Sequence, residues 1–367
     1  MNKTAGFLAV LLAALVLLGL ARVPAQAEKS PSQPFSVRAT DFSGADIGEK
    51  INEASKAYPQ GVRIEVPSGH YKFSTTIKLK RGDALVGVHW GDMDTIDGTR
   101  LEYTGDGTAI DLTGNQTYRP VVFLENFRLD NGGQGKYGIY ATWATRYFSA
   151  RNLIINAFET GMYLGDCIIN NFTGLHIYNS KKAGIEIRTG YTIQFYSCKI
   201  DGGNPGVLIN YGNLVSLIGC TFESQRSGHT VVIENGGTGN SLINCYFEDN
   251  GLLSDVYVVS KDKDPEKAVR LVSIEGCTFG SKSYCVELDG YVRSATIFRN
   301  YLGAPKDEPA VRISSPNVKE VSIGANMTFP SQGPYIENPH RVKLSPIGYL
   351  PPDKTEAVVK DTPKPKK

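Results

Sequence analysis

The chain has 367 residues, 41% of them apolar, with 39 glycines and a net charge of +2 from 39 basic and 37 acidic side chains. So even a balance gives no case for nucleic-acid binding, which calls for a basic stripe, and the glycine content points to many turns. Length alone allows one large domain or two.

Lys3 and the apolar run Phe7 to Leu20, followed by Ala25-Gln26-Ala27, have the charge, apolar core and small-x-small site of a secretory signal, which places residues 1–27 in a cleaved leader. The run is shorter than the ~20 residues a spanning helix needs, which weighs against an uncleaved anchor. No later stretch is apolar enough to span. The expected location is therefore periplasmic or secreted, with no membrane span after cleavage. Next, Ile47, Ile51 and Ala54 set an amphipathic helix of about three turns, suited to closing one end of a stacked β core.

From residue 124 a short phrase recurs: a turn-type residue, an apolar residue, any residue, then Leu, Ile or Phe. It begins at Asn126, Asn152, Gly174, Ser197, Gly219, Asn244, Gly276 and Arg299, at steps of 22 to 26 residues with one step of 32. The long step holds the polar insertion Lys261-Asp262-Lys263-Asp264-Pro265, read as a loop. A second phrase follows in each unit, as in Gly161-Met162-Tyr163-Leu164 and Gly184-Ile185-Glu186-Ile187. A third alternating segment precedes each first phrase, as in Tyr191 to Phe195. Apolar residues at every second position mark strands, and a fixed period of this length marks a solenoid. The fold class is all-β: a single-stranded right-handed parallel β-helix over residues 28–350 with an N-terminal capping helix. The Pro/Lys-rich segment 351–367 has little to bury and reads as a disordered tail.

Stacked coils place equivalent residues in columns about 4.8 Å apart. One inward column carries Cys198, Cys220, Cys245 and Cys277, then Asn300. Buried thiols packed as small hydrophobes fit that repeat, and disulfides in an oxidising compartment are the alternative.

Asp41-Phe42-Ser43-Gly44-Ala45, the helix after it, Arg63-Ile64-Glu65-Val66-Pro67-Ser68-Gly69-His70-Tyr71, Ile77-Lys78-Leu79 and Leu85-Val86-Gly87-Val88 resemble the first coil of the pectate-lyase-like superfamily, in the branch shared with phage tail spikes. With the repeats the resemblance covers roughly residues 36 to 330. It implies a polysaccharide partner, lying along the Gly-Ile-x-Ile strands. It leaves open a lyase, a glycoside hydrolase, a uronate epimerase or a non-catalytic glycan-binding surface protein, and a structural envelope protein is a third reading. The polygalacturonase signatures Asn-Thr-Asp, Asp-Asp, Gly-His-Gly and Arg-Ile-Lys are absent, as is the Arg-x-Pro-x-x-Arg segment of calcium-dependent pectate lyases. Tail-spike relatives are trimers, but nothing in this sequence marks an oligomer interface.

Two outward constellations are expected to carry chemistry. Asp201, Glu223 and Glu248 recur at one position on consecutive coils. Proximity of like charges raises a carboxyl pKa toward a general acid, and one or two coil steps match the carboxyl spacing of a glycosidase. A bridging cation such as calcium is an alternative without a recognisable motif, and a solvated charge stripe is the plainer one. The second constellation is Tyr140, Tyr163 and Tyr257 with Glu186, Arg188 and Glu234. Tyrosine faces stack on sugars, and Arg188 pairs with a uronate carboxylate. Tyr163, Tyr178, His176 and Lys182 are candidate bases, while ordinary strand decoration is the alternative. His229 is read as a surface residue in a turn.

Overall fold

The computed structural model describes residues 35–90, 98–113, 122–143, 146–225, 227–250, 253–262, 264–280, 284–303, 309–328 and 336–347. The leader at 1–27 and the tail at 351–367 lie outside the described residues. From Ser36 onward the chain forms one compact unit. Thirty of the described strands join in a single hydrogen-bonded sheet, and every pairing among them is parallel. Each strand bonds the strand one coil away, so the sheet wraps around a core, and among the described residues no strand pairs with its chain neighbour through a hairpin.

Three features of the sequence produce this coil. The first is the turn column. Asn126, Asn152, Gly174, Ser197, Gly219, Asn244 and Gly276 all have φ between 49° and 66°, the left-handed region that Gly and Asn enter at least cost. Arg299 takes the same conformation at φ 56° with no glycine or asparagine advantage, so there the stacked neighbours impose the backbone. The second is alternation. In Ile185–Tyr196, Ile185, Ile187, Ile193 and Phe195 are fully buried while Glu186 and Arg188 point out.

The third is the ladder of like residues. Phe222 stacks on Phe247 at 4.8 Å between centroids, and Phe247 on Phe279 at 4.7 Å. Such offset pairs add to the area they bury. Cys198, Cys220, Cys245 and Cys277 are all free and at most 2% exposed, which decides the column for packing over disulfides. Asn300 ends that column, accepting a hydrogen bond from the Cys277 amide at 2.8 Å and donating to the Ile274 carbonyl at 2.9 Å. A polar side chain thus sits in the core because the backbone satisfies it.

The expected helix is present as Ile47–Ala57, with Ile47, Ile51 and Ala54 buried. Asp46 caps it. Its carboxylate accepts from the amides of Glu49 at 2.9 Å, Ser74 at 2.9 Å and Thr75 at 3.1 Å, tying the helix to the first coils.

Candidate functional site

The Gly-Ile-x-Ile strands stack in register and set an outward column that reads Asp111, Tyr140, Tyr163, Glu186, Leu208, Val232, Tyr257, Glu287 and Arg312. Two residues on, the neighbouring column places Arg188, Asn210 and Glu234 on consecutive coils. Both columns are as the period predicts.

The structure divides the tyrosine constellation. Tyr140 and Tyr163 stack at 4.9 Å and 13°, and Tyr137 leans on both at 4.9 and 5.5 Å. One coil further, the Arg188 Nε donates to Glu186 Oε1 at 2.6 Å. Tyr257 lies beyond Leu208 and Val232, in a separate groove of about 340 Å³ whose lining includes Asn204, Leu208, His229, Val232, Glu234, Tyr257 and Lys261.

That groove has the features of a site. His229 is the first residue of the strand His229–Glu234, which corrects its reading as a turn residue. Its ring stacks face to face on Tyr257 at 4.0 Å and 10°, and its Nδ1 lies 2.7 Å from Ser254 Oγ. Burial, with the Lys261 charge adding, lowers the His229 pKa to about 4. The Tyr257 hydroxyl donates to Asp289 Oδ2 at 2.9 Å. Burial first, then that carboxylate, pushes its pKa up. At neutral pH the groove therefore holds a neutral imidazole beside a protonated phenol. Lys261 Nζ lies 3.0 Å from Glu234 Oε2 at the rim, and Leu208 and Val232 give an apolar floor.

The acidic column is in register as expected, with Asp201, Glu223 and Glu248 on consecutive coils. A separate open groove of about 440 Å³ runs past Glu223 and Glu248. Lys199 Nζ sits 2.7 Å from Glu223 Oε2, so an ammonium offsets part of the column's charge. Among the described residues no three or more His, Cys, Asp or Glu side chains gather as a metal-ion site.

Of the expected bases, Tyr178 is 9% exposed and its hydroxyl interacts with Arg128. It joins the network in which Arg100 and Arg128 each bind Asp130, at 2.6 and 2.7 Å. Lys182 pairs with Glu159. Burial lowers the His176 pKa and raises that of Tyr163. None of these four lines the groove around Tyr257.

Sequence reasoning missed His229, Lys261 and Asp289. The legible signal was spacing. His229 stands three residues before outward Val232, as Tyr137 stands before Tyr140. Lys261 belongs to the insertion passed over as a loop, and loops often carry functional groups.

The model of the family described as "Right handed beta helix region" matches residues 84–222 and 169–303, together more than half of the chain, and the chain belongs to that family. This agrees with the superfamily resemblance of the first coil. No curated protein matches in sequence. Among solved structures, the chain is similar to DFA-IIIase from Arthrobacter chlorophenolicus A6 without its lid. That pair is 13% identical, covers 83% of this chain and 92% of that one, and has a TM-score of 0.62. It is also similar to the A-module of the Azotobacter vinelandii mannuronan C-5 epimerase AlgE4, at 13% identity, 89% and 99% coverage and a TM-score of 0.57. A third is the tailspike gp49 of Acinetobacter baumannii bacteriophage Fri1, a capsular polysaccharide depolymerase. It is 12% identical with a TM-score of 0.59, and the match covers 86% of this chain and 60% of that one. At these identities the likeness shows the fold. No described helix is long and apolar enough to cross a membrane.

Proposed function

We propose that the protein is an exported lyase that cleaves a uronate-containing polysaccharide by β-elimination in the groove around Tyr257. The observation that carries this reading is the stacked pair of a neutral His229 and a protonated Tyr257 beside Lys261. Removing the C5 proton of a uronate needs a base, an acid for the leaving oxygen and a cation to blunt the carboxylate. His229 takes the C5 proton, the C5–H electrons form the C4–C5 double bond, and the C4–O4 bond breaks. The Tyr257 hydroxyl turns its one hydrogen from Asp289 to O4 and gives it to the leaving oxygen. Lys261 shifts from Glu234 toward the substrate carboxylate, and Arg188 serves the neighbouring sugar in the same way. Leu208 and Val232 meet the apolar face of the ring.

Base and acid stand on one side of the groove. That favours elimination, because epimerisation must return a proton to the opposite face of C5. The mannuronan epimerase and the capsular depolymerase among the similar structures lend the substrate class support.

The test is incubation with polygalacturonate, alginate and bacterial acidic exopolysaccharides, following absorbance of unsaturated uronates and the NMR signals of epimerised sugars. Unsaturated products that disappear in His229→Ala and Tyr257→Phe are expected. Epimerised sugars without chain cleavage would make the protein an epimerase. Saturable binding without any product would make it a glycan-binding protein, and new reducing ends without unsaturation would move the chemistry to Asp201, Glu223 and Glu248.

A further inference from the structure

A second groove, of about 410 Å³, is lined by Thr238, Arg270, Leu271, Arg293, Ser294, Lys319 and Glu320, and shares no residue with the groove around Tyr257. Thr238 pairs with Arg270, the bridge Val269 to Val292 sets Arg270 beside Arg293, and Ser294 pairs with Glu320, which sets Arg293 beside Lys319. Three cations therefore occupy one position on three consecutive coils. Like charges on adjacent strands are unfavourable, and two carboxylates offset the three cations in part, Glu320 in the same lining and Glu266 against Arg270. Glu266 Oε2 lies 3.1 Å from Arg270. Arg293 and Lys319 are exposed and have no ion-pair partner among the described residues, and the Arg270 Nε is buried with no hydrogen-bond partner among them.

We infer that this ladder is a second binding site for an acidic polysaccharide, one carboxylate per coil, apart from the site of chemistry. The coil repeat of about 4.8 Å is close to the length of one pyranose unit, so a chain carrying a carboxylate on each sugar presents its charges in step with the cations. Arginine binds carboxylates through paired N–H donors. Leu271, 59% exposed at the rim, offers apolar contact to a ring face. No aromatic ring lines the groove to stack nucleic-acid bases. The inference takes its polymer class from the proposed function but rests on different side chains.

The experiment measures binding of the full chain to polygalacturonate, alginate and neutral dextran across a range of salt concentrations, with duplex DNA and phosphatidylglycerol vesicles as further probes. R293S/K319S is compared with the unaltered protein and with H229A. Both substituted side chains of the double variant are exposed, and its melting profile is expected to be unchanged. It should bind polyuronate roughly tenfold more weakly and with a shallower salt dependence, while product formation at saturating substrate stays the same. H229A should keep the full affinity and salt slope. Absent polyuronate binding, equal affinity in R293S/K319S, equal binding of dextran, or a ladder-dependent affinity seen only with DNA or vesicles would overturn the inference. If no turnover is ever detected but the double variant still loses affinity, the lyase reading fails and the ladder stands.

Discussion

His229 shows how far one environment moves one side chain. An imidazole in water is half-protonated near pH 6.5, and the protonated form cannot accept a proton. Stacked on the Tyr257 ring, the imidazole is buried enough that its charged form is penalised, which lowers the pKa to about 4. The base-competent form therefore persists down to about pH 4. The acid limb of kcat/KM is expected near that value, and a limb near 6.5 in a pH profile would assign proton abstraction to another group. Asp130 is the structural counterpart. It is 3% exposed, binds Arg100 and Arg128, and accepts from Asn156 at 2.8 Å. Asp130→Ala leaves the largely buried Arg128 guanidinium without its carboxylate, while Arg100 stays partly solvated, so a loss of about 3 kcal/mol is expected in chemical denaturation.

At the scale of elements, the columns follow from stacking alone, so Glu186, Arg188, Glu234 and Tyr257 were placed correctly from period and alternation. Their grouping was not. Tyr140 and Tyr163 close on Tyr137, whereas Tyr257 joins His229 and Asp289, because side-chain packing along a column depends on which neighbours are small. The capping helix was legible from Ile47, Ile51 and Ala54, but the reach of its cap was not. Asp46 holds amides from both the helix and the first coils. Burial pushes its pKa up, but those amide bonds outweigh burial and leave it lowered. Asp46→Ala should cost about 1–2 kcal/mol in urea denaturation at neutral pH. That contribution is present above the unfolded carboxylate pKa and fades as pH falls through the lower folded value, so the gap between variant and parent narrows in acid.

Over the whole molecule, the core is one continuous stack and the six cysteines all lie within it, buried and unbridged by disulfides. A thiol reagent is expected to find none of them in the native protein and all six after denaturation, and a lower count in denaturant would mean that coils are cross-linked. The period of about two dozen residues, with a turn residue opening each unit, made the fold legible by itself, since repeats of one three-strand unit bury a continuous core by stacking coil on coil. The tertiary structure alone decided which outward side chains meet. Columns state who is one coil away, whereas the groove around Tyr257 arises where a loop from one coil, the start of a strand from the coil before and an acid from the coil after converge, and no spacing in the sequence encodes that convergence.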